Sequence, residues 1–274
     1  MTESMKEMRL YDQVDRILNE LRDQGIDDDA PLSVEDLTPY DQYHYHGTEA
    51  VDHAASMMGA TPSSEVLEIG SGIGGPSRYL AHSAGSQVTA LELQPDLNDL
   101  AASLTERCGL SGRVSHFCGN FLDQPFGGRT FDAIMSFLVF LHIPDRKRLF
   151  SLCHAALKPG ASMVIEDFTK LKEPTPEEAE ALRVKVQCSY VPDPQTYQSQ
   201  LEEAGFEVVS FEDMSVSWTA FTSERLAAFR GRREHNLRVN GEDLTNGLED
   251  FYATAAGLYG AGTIGGARIH ARRA

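Results

Sequence analysis

Val66-Leu67-Glu68-Ile69-Gly70-Ser71-Gly72-Ile73-Gly74-Gly75 is the stretch whose reading decides the fold. It reads as a buried strand ending beside an acidic residue, followed at once by a glycine-rich turn. A helix then starts near Pro76 and runs through Ser77, Arg78, Tyr79 and Leu80. Glycines in such a turn let the backbone take positive φ and let a ligand approach without meeting a Cβ. Nucleotide-like cofactors are held this way at the carboxyl end of a parallel strand. A lone turn of this kind is a weak signal, and a second strand with its own acid gives it weight.

That strand is the next apolar run, Val88-Thr89-Ala90-Leu91-Glu92-Leu93, with a carboxylate at its tip. In a doubly wound sheet that tip faces the same crevice as the glycine turn. A carboxylate there accepts hydrogen bonds from ribose hydroxyls. NAD and S-adenosylmethionine (AdoMet) both fit so far. Glu68 favours AdoMet, because a sulfonium and an ammonium group welcome an acid beside the turn and a pyrophosphate does not.

Glu68 to Gly74 resembles the first motif of class I AdoMet-dependent methyltransferases, and Glu92 matches their ribose-binding acid. Gly119-Asn120-Phe121 stands where that family carries its adenine-side residues. Phe131 to Ser136 resembles the fourth strand, and Leu157-Lys158-Pro159-Gly160 the turn before the fifth. The resemblance covers Thr61 to Asp167, with Asn120 in place of Asp and Ala161 in place of a second Gly. It implies AdoMet as cofactor, bound by Glu68, Gly70, Ser71, Gly72, Glu92, Leu93, Asn120 and Phe121. The amide oxygen of Asn120 would serve the adenine in place of a carboxylate.

The expected fold class is α/β. It is a Rossmann-like doubly wound sheet, parallel with an antiparallel last strand, plus an N-terminal helical lid and a helical insert. The antiparallel strand, at Ala267 to Ala271, is implied by the resemblance alone. Residues 1–60 are read as an N-terminal helix and lid segment, and 61–274 as the AdoMet-binding domain with an insert at about 168–205. Met8, Tyr11, Val14, Leu18 and Leu21 recur at helical spacing and predict an opening amphipathic helix. A polar loop is expected between it and Tyr40, and Glu207 to Phe211 reads as a sixth strand.

The 274 residues suffice for one α/β domain with elaborations. A net charge of −17 argues against nucleic acid as partner. No apolar run approaches the roughly 20 residues a membrane span requires. Cys108, Cys118, Cys153 and Cys188 form no Cys-x-x-Cys pair, and the amino terminus has no signal-peptide pattern. A cytoplasmic monomer or homodimer acting on a small-molecule methyl acceptor is the resulting expectation.

For the chemistry, Phe137 to Arg146 resembles the matching loop of phosphoethanolamine and of sarcosine and dimethylglycine N-methyltransferases. That resemblance implies a catalytic His142, and Tyr43, from the aromatic cluster Tyr40 to Gly47, is the candidate either to partner it or to contact the cofactor's methionine end. A histidine with a pKa near 6.5 suits a general base. The plain alternative is that His142 caps the helix starting near Pro144 or packs beneath it. The fourth strand ends in Ser136-Phe137-Leu138 without carboxylates, so no metal is expected, and His44 with His46 lacks a third ligand. Asp167 either lines the substrate pocket or caps the turn that follows it. The phosphate-gripping Arg and Tyr of the phosphoethanolamine enzymes fall on Gln187 and Ser189, which speaks against that substrate. Arg183 and Lys185 either bind an anion or form a solvated helix face, and Trp218 with Phe221 reads as core.

Methyl transfer to an amine nitrogen is thus the leading expectation. Transfer to the oxygen, sulfur or carbon of a phenol, thiol or isoprenoid is the runner-up. A non-catalytic AdoMet-binding subunit and an NAD-dependent oxidoreductase are more remote.

Overall fold

The computed structural model describes residues 15–123 and 126–274. Met8, Tyr11 and Val14 of the expected opening helix lie outside the described residues; the part described is α1, Asp15–Asp23. Seven strands follow: β1 Glu65–Ile69, β2 Gln87–Glu92, β3 Val114–Cys118, β4 Phe131–Phe137, β5 Leu157–Lys170, β6 Phe206–Asp213 and β7 Ile264–Arg273. They form one sheet in the order β3-β2-β1-β4-β5-β7-β6. The first five run parallel. β7 lies antiparallel between β5 and β6, as the resemblance implied.

Alternation along the inner strands builds a core on each face of the sheet. Leu67, Ile69 and Ile134 point into one face, where Leu149 and Phe150 of α6 (Arg146–Ala156) and Tyr197 and Leu201 of α8 (Pro194–Glu203) cover them. Val66, Ala133 and Met135 point into the other. There α3 (Gly47–Met58) adds Ala50, Val51 and Ala54, and α4 (Gly75–Ser83) adds Leu80 and Ala81. Each large apolar side chain so buried contributes about 1.5–3 kcal/mol. β2 and β4 flank β1, so the chain reverses its direction of travel across the sheet beside the glycine turn. A crevice opens outside the carboxyl ends of the strands at such a point.

Three differences from the expected layout matter for the cleft. The polar loop before Tyr40 contains α2 (Val34–Asp41), started by a reciprocal capping box between Ser33 and Asp36. Of the expected insert, β5 continues through Lys170 and α8 covers the core, leaving α7 (Pro176–Val184) as the added helix. The largest addition lies between β6 and β7, where α9 (Ser215–Gly231), α10 (Arg233–Asn240) and α11 (Glu242–Gly260) stand. Gly265 and Gly266, which precede the expected strand at Ala267 to Ala271, belong to β7. A Cβ on Gly266 would lie 2.0 Å from the Trp218 ring, so the missing side chain is what seats α9 on the sheet. Among the described residues, no helix is long and apolar enough to cross a membrane.

Candidate active site

The glycine turn, the tips of β2 and β4 and the segment after α2 enclose a cleft of about 1200 Å³, its mouth included. Glu68, Gly70, Ser71, Gly72, Glu92, Leu93, Asn120, Phe121, His142 and Tyr43 all line it. The residues expected to serve cofactor and catalysis are therefore brought to one cavity.

The turn is built by the neighbouring strand. Gly70 and Ser71 both donate N–H bonds to the Leu91 carbonyl, at 2.8 and 3.0 Å. Gly70 has φ +75°, and a Cβ there would meet Val139 at 2.4 Å, so the turn and the loop after β4 touch only because this residue is glycine. Gly72, at φ +54°, has open space where a Cβ would point. Its N–H donates to Glu92 Oε2 at 2.8 Å, while Gln94 N–H donates to Oε1 at 2.9 Å. Glu92 thus clamps the turn to β2 and keeps further lone pairs for hydroxyl donors.

Burial dominates the acids. Glu68, beneath the turn and hydrogen-bonded by the Ser77 hydroxyl, is pushed up to about 8, chiefly by loss of solvent. Glu92 rises to about 7 for the same reason, opposed by its backbone donors. Ser71 Oγ is buried with no hydrogen-bond partner among the described residues. An orphaned hydroxyl, an open Gly72 and a carboxylate with spare lone pairs fit the ribose and amino-acid parts of AdoMet. Asn120 differs from expectation in one respect: its amide oxygen already accepts the Leu122 N–H at 3.1 Å.

His142 ends a short 3-10 turn, Phe140–His142, after β4. It does not cap α6, whose N-cap is Asp145. Its Nδ1 stands 3.1 Å from the Gln187 carbonyl oxygen, which only accepts. Nδ1 therefore carries the ring proton, and the neutral ring has its lone pair on Nε2. Burial lowers its pKa, partly offset by the Gln187 bond and by Asp167, so the ring is neutral near pH 7.

Asp167 neither lines the cleft nor caps the turn that follows it. Fully buried, it accepts the Leu141 N–H at 3.1 Å, two bonds from Arg146 at 3.1 Å and the Tyr197 hydroxyl at 2.9 Å. This network fixes the backbone one residue before His142.

Tyr43 packs against the apolar cluster of α1, α2 and α5 (Pro95–Arg107), with the Arg16 guanidinium 5.4 Å from its ring centroid. His44 stacks on Phe137 at 4.6 Å, and its Nε2 lies 2.8 Å from the Gly47 carbonyl. His46 Nε2 pairs with Ser217 Oγ at 2.8 Å. The two histidines are thus held by different neighbours. Arg183 pairs with Glu180 and Lys185 with Asp250 on exposed surface, so neither reaches the cleft. Trp218 is core, as expected.

Among the cleft residues not expected from the sequence is Arg225, on α9. Its signal was present in the spacing of Trp218, Phe221, Thr222 and Arg225, which sets the arginine on the helix face that carries Trp218.

The fold and cleft define the class I AdoMet-binding methyltransferase architecture. The profile of a methyltransferase-domain family matches residues 67–165, so the chain carries that domain and AdoMet is its cofactor. Relatives extend the likeness. A glycine/sarcosine/dimethylglycine N-methyltransferase of Actinopolyspora halophila is 26% identical over 86% of this chain, and the match spans 42% of that protein. A 24-methylenesterol C-methyltransferase 2 of Oryza sativa is 28% identical, covering 78% of this chain and 63% of its own length. A 27-O-demethylrifamycin SV methyltransferase of Amycolatopsis mediterranei is 27% identical over 83% of this chain and 81% of its own. Among solved structures, a Haemonchus contortus phosphoethanolamine N-methyltransferase 2 with phosphomonomethylethanolamine and S-adenosylhomocysteine superposes with a TM-score of 0.76. It is 21% identical, with 85% of this chain and 54% of that one covered. The chain thus spans about half the length, or less, of these two N-methyltransferases.

Proposed function

We propose that the chain transfers a methyl group from AdoMet to an amine nitrogen of a small molecule, directly and without a metal. The observation that carries this reading is the sharing of one cleft by the glycine turn, Glu92 and a buried neutral His142. AdoMet supplies an activated methyl on its sulfonium, so the protein's task is alignment and removal of the acceptor's proton. Glu92 binds the ribose hydroxyls; Leu93, Asn120 and Phe121 flank the adenine. Glu68 faces the positive end of the cofactor, with Ser71 and the backbone at Gly70 and Gly72 beside it. His142 accepts the acceptor's proton, with Tyr43 orienting the substrate from the opposite lid. The preference for nitrogen rests on the N-methyltransferase relatives.

The second reading is transfer to oxygen or carbon. It is favoured by apolar walls at Leu138, Phe168, Val186 and Phe251, and by the sterol and rifamycin relatives. Phe140 and Trp218 are core residues and add nothing to those walls.

A thermal-shift screen with AdoMet, S-adenosylhomocysteine and NAD tests the cofactor. Labelled methyl transfer to panels of amines, phenols and prenyl compounds tests the acceptor. Stabilisation by the adenosyl ligands with label on an amine supports the proposal. Label only on oxygen or carbon replaces it with the second reading, and stabilisation by NAD alone removes both.

A further inference from the structure

We propose that Arg225 anchors a carboxylate group on the methyl acceptor. The inference deepens the methyl-transfer reading and rests on it.

Among the described residues, Arg225 is the one Arg or Lys lining the cleft. Its Nη2 donates to the His44 carbonyl at 2.8 Å. Its guanidinium lies 4.7 Å from the ring centroid of Phe221, 5.1 Å from that of Tyr45 and 5.4 Å from that of Tyr252. Three rings and one carbonyl hold the side chain in place before any ligand arrives, which lowers the ordering cost of binding. The rings also shelter the charge from water, which strengthens its pull on an anion.

Arg225 differs from the chain's buried arginines in what it lacks. Arg78 is matched by Asp41, Arg146 by Asp167 and Arg268 by Glu166, at 2.9, 3.1 and 2.7 Å. No carboxylate pairs with Arg225 among the described residues. The acids on the cleft do not supply one: Asp41 is committed to Arg78, Glu68 accepts from the Ser77 hydroxyl beneath the turn, and Glu92 is committed to the glycine turn.

Position separates acceptor from cofactor. Glu92 and Asn120 sit at the β2 and β3 side of the sheet, and the glycine turn follows β1. Arg225 stands on α9, which packs over β7, beyond β4 and β5. It therefore faces the side of the cleft left to the acceptor. The ligand's charge follows from the same inventory. A single guanidinium matches a monoanion, and its planar fork fits a carboxylate in two-point contact. A phosphate dianion would keep one charge unmatched.

The test is titration of S-adenosylhomocysteine-saturated protein with carboxylates and their primary amides. The pairs are N,N-dimethylglycine, 4-aminobenzoate and 4-hydroxyphenylacetate, each against its amide, with phosphoethanolamine as a further ligand. At least one carboxylate should bind on the order of tenfold to a hundredfold more tightly than its amide, the range of a charge-assisted hydrogen bond. That advantage should vanish in Arg225→Met, persist in part in Arg225→Lys, and leave AdoMet affinity unchanged in both. Arg225→Lys guards against the Met variant failing through a loosened His44 segment.

Four results overturn the proposal: no carboxylate outbinds its amide, the advantage survives in Arg225→Met, phosphoethanolamine outbinds every carboxylate, or Arg225→Met weakens AdoMet as much as the carboxylate. The last would assign Arg225 to the cofactor's own carboxylate. Failure of the wild-type protein to bind either adenosyl ligand would instead count against the methyl-transfer reading.

Discussion

Glu92 carries two duties on one carboxylate, closing the glycine turn and presenting lone pairs to the cleft. Glu92→Ala is expected to weaken AdoMet binding at least tenfold by calorimetry, and unchanged affinity would refute the ribose assignment. His142 allows a sharper separation. In His142→Ala, turnover should fall by two to four orders of magnitude, in keeping with general-base loss of about 10²–10⁴-fold. AdoMet affinity should stay within a factor of about two to three, since a base that touches only the acceptor contributes little to the cofactor. Equal loss of both would make His142 a structural residue. At this scale the sequence was informative wherever a residue type carried its own chemistry at the tip of a strand. It was silent on hydrogen-bond partners: nothing near Asn120 indicates that Leu122 claims its amide oxygen, and nothing near Asp167 points to Tyr197, thirty residues further on.

The loop after β4 is held from three elements at once. Leu138 takes φ +56°, a conformation uncommon outside glycine, and its N–H donates to the Glu166 carbonyl at 2.8 Å. Asp167 then fixes Leu141 while binding Arg146 of α6 and Tyr197 of α8. Asp167→Ala leaves the Arg146 guanidinium buried and unmatched, and should cost about 3–5 kcal/mol in chemical denaturation. Tyr197→Phe removes one bond to a carboxylate and should cost about 1.5–3 kcal/mol. A wild-type midpoint in both variants would show that the loop is held by packing alone. The inner parallel strands were legible because buried parallel strands leave continuous apolar runs between turn signals. The helices after β6 were not, because α9 carries apolar and polar residues around its whole circumference and gives no clean stripe. α2 was missed for a different reason: it is short, contains Pro39 and is started by a capping box rather than by periodicity.

For the molecule as a whole, the buried acids and histidines set opposing limits on stability. Glu68 near 8 and Glu92 near 7 stay protonated in the folded chain, whereas in the unfolded chain they ionise near the ordinary value of 4.5. Their effect is a loss of stability as pH rises from about 4.5 to 8. His44 and His116, held near 4 by burial against an ordinary 6.5, act the other way. They remove stability as pH falls from 6.5 to 4. The two ranges overlap between about 4.5 and 6.5, where the opposing effects offset, so the ligand-free melting temperature should be highest and nearly flat there, falling above 6.5 and below 4.5. Glu68→Gln should flatten the alkaline limb, and saturating AdoMet should do the same by favouring the ionised acid. An alkaline limb unaltered by Glu68→Gln would mean the acid is already ionised in the free protein.

The place of β7 also governs the order in which this protein is made. A ribosome delivers β5 and β6 long before the strand that must slot between them. Until residues 264–273 emerge, β5 presents an open edge, and β6 has no neighbour in the sheet. The parallel half can assemble during synthesis, with α9 to α11 waiting for the strand on which Trp218 seats. Sheet completion is then a late event that joins segments distant in the chain, a slow kind of closure. A stalled or prematurely ended nascent chain would carry that unpaired edge into solution, and with it a tendency to self-associate.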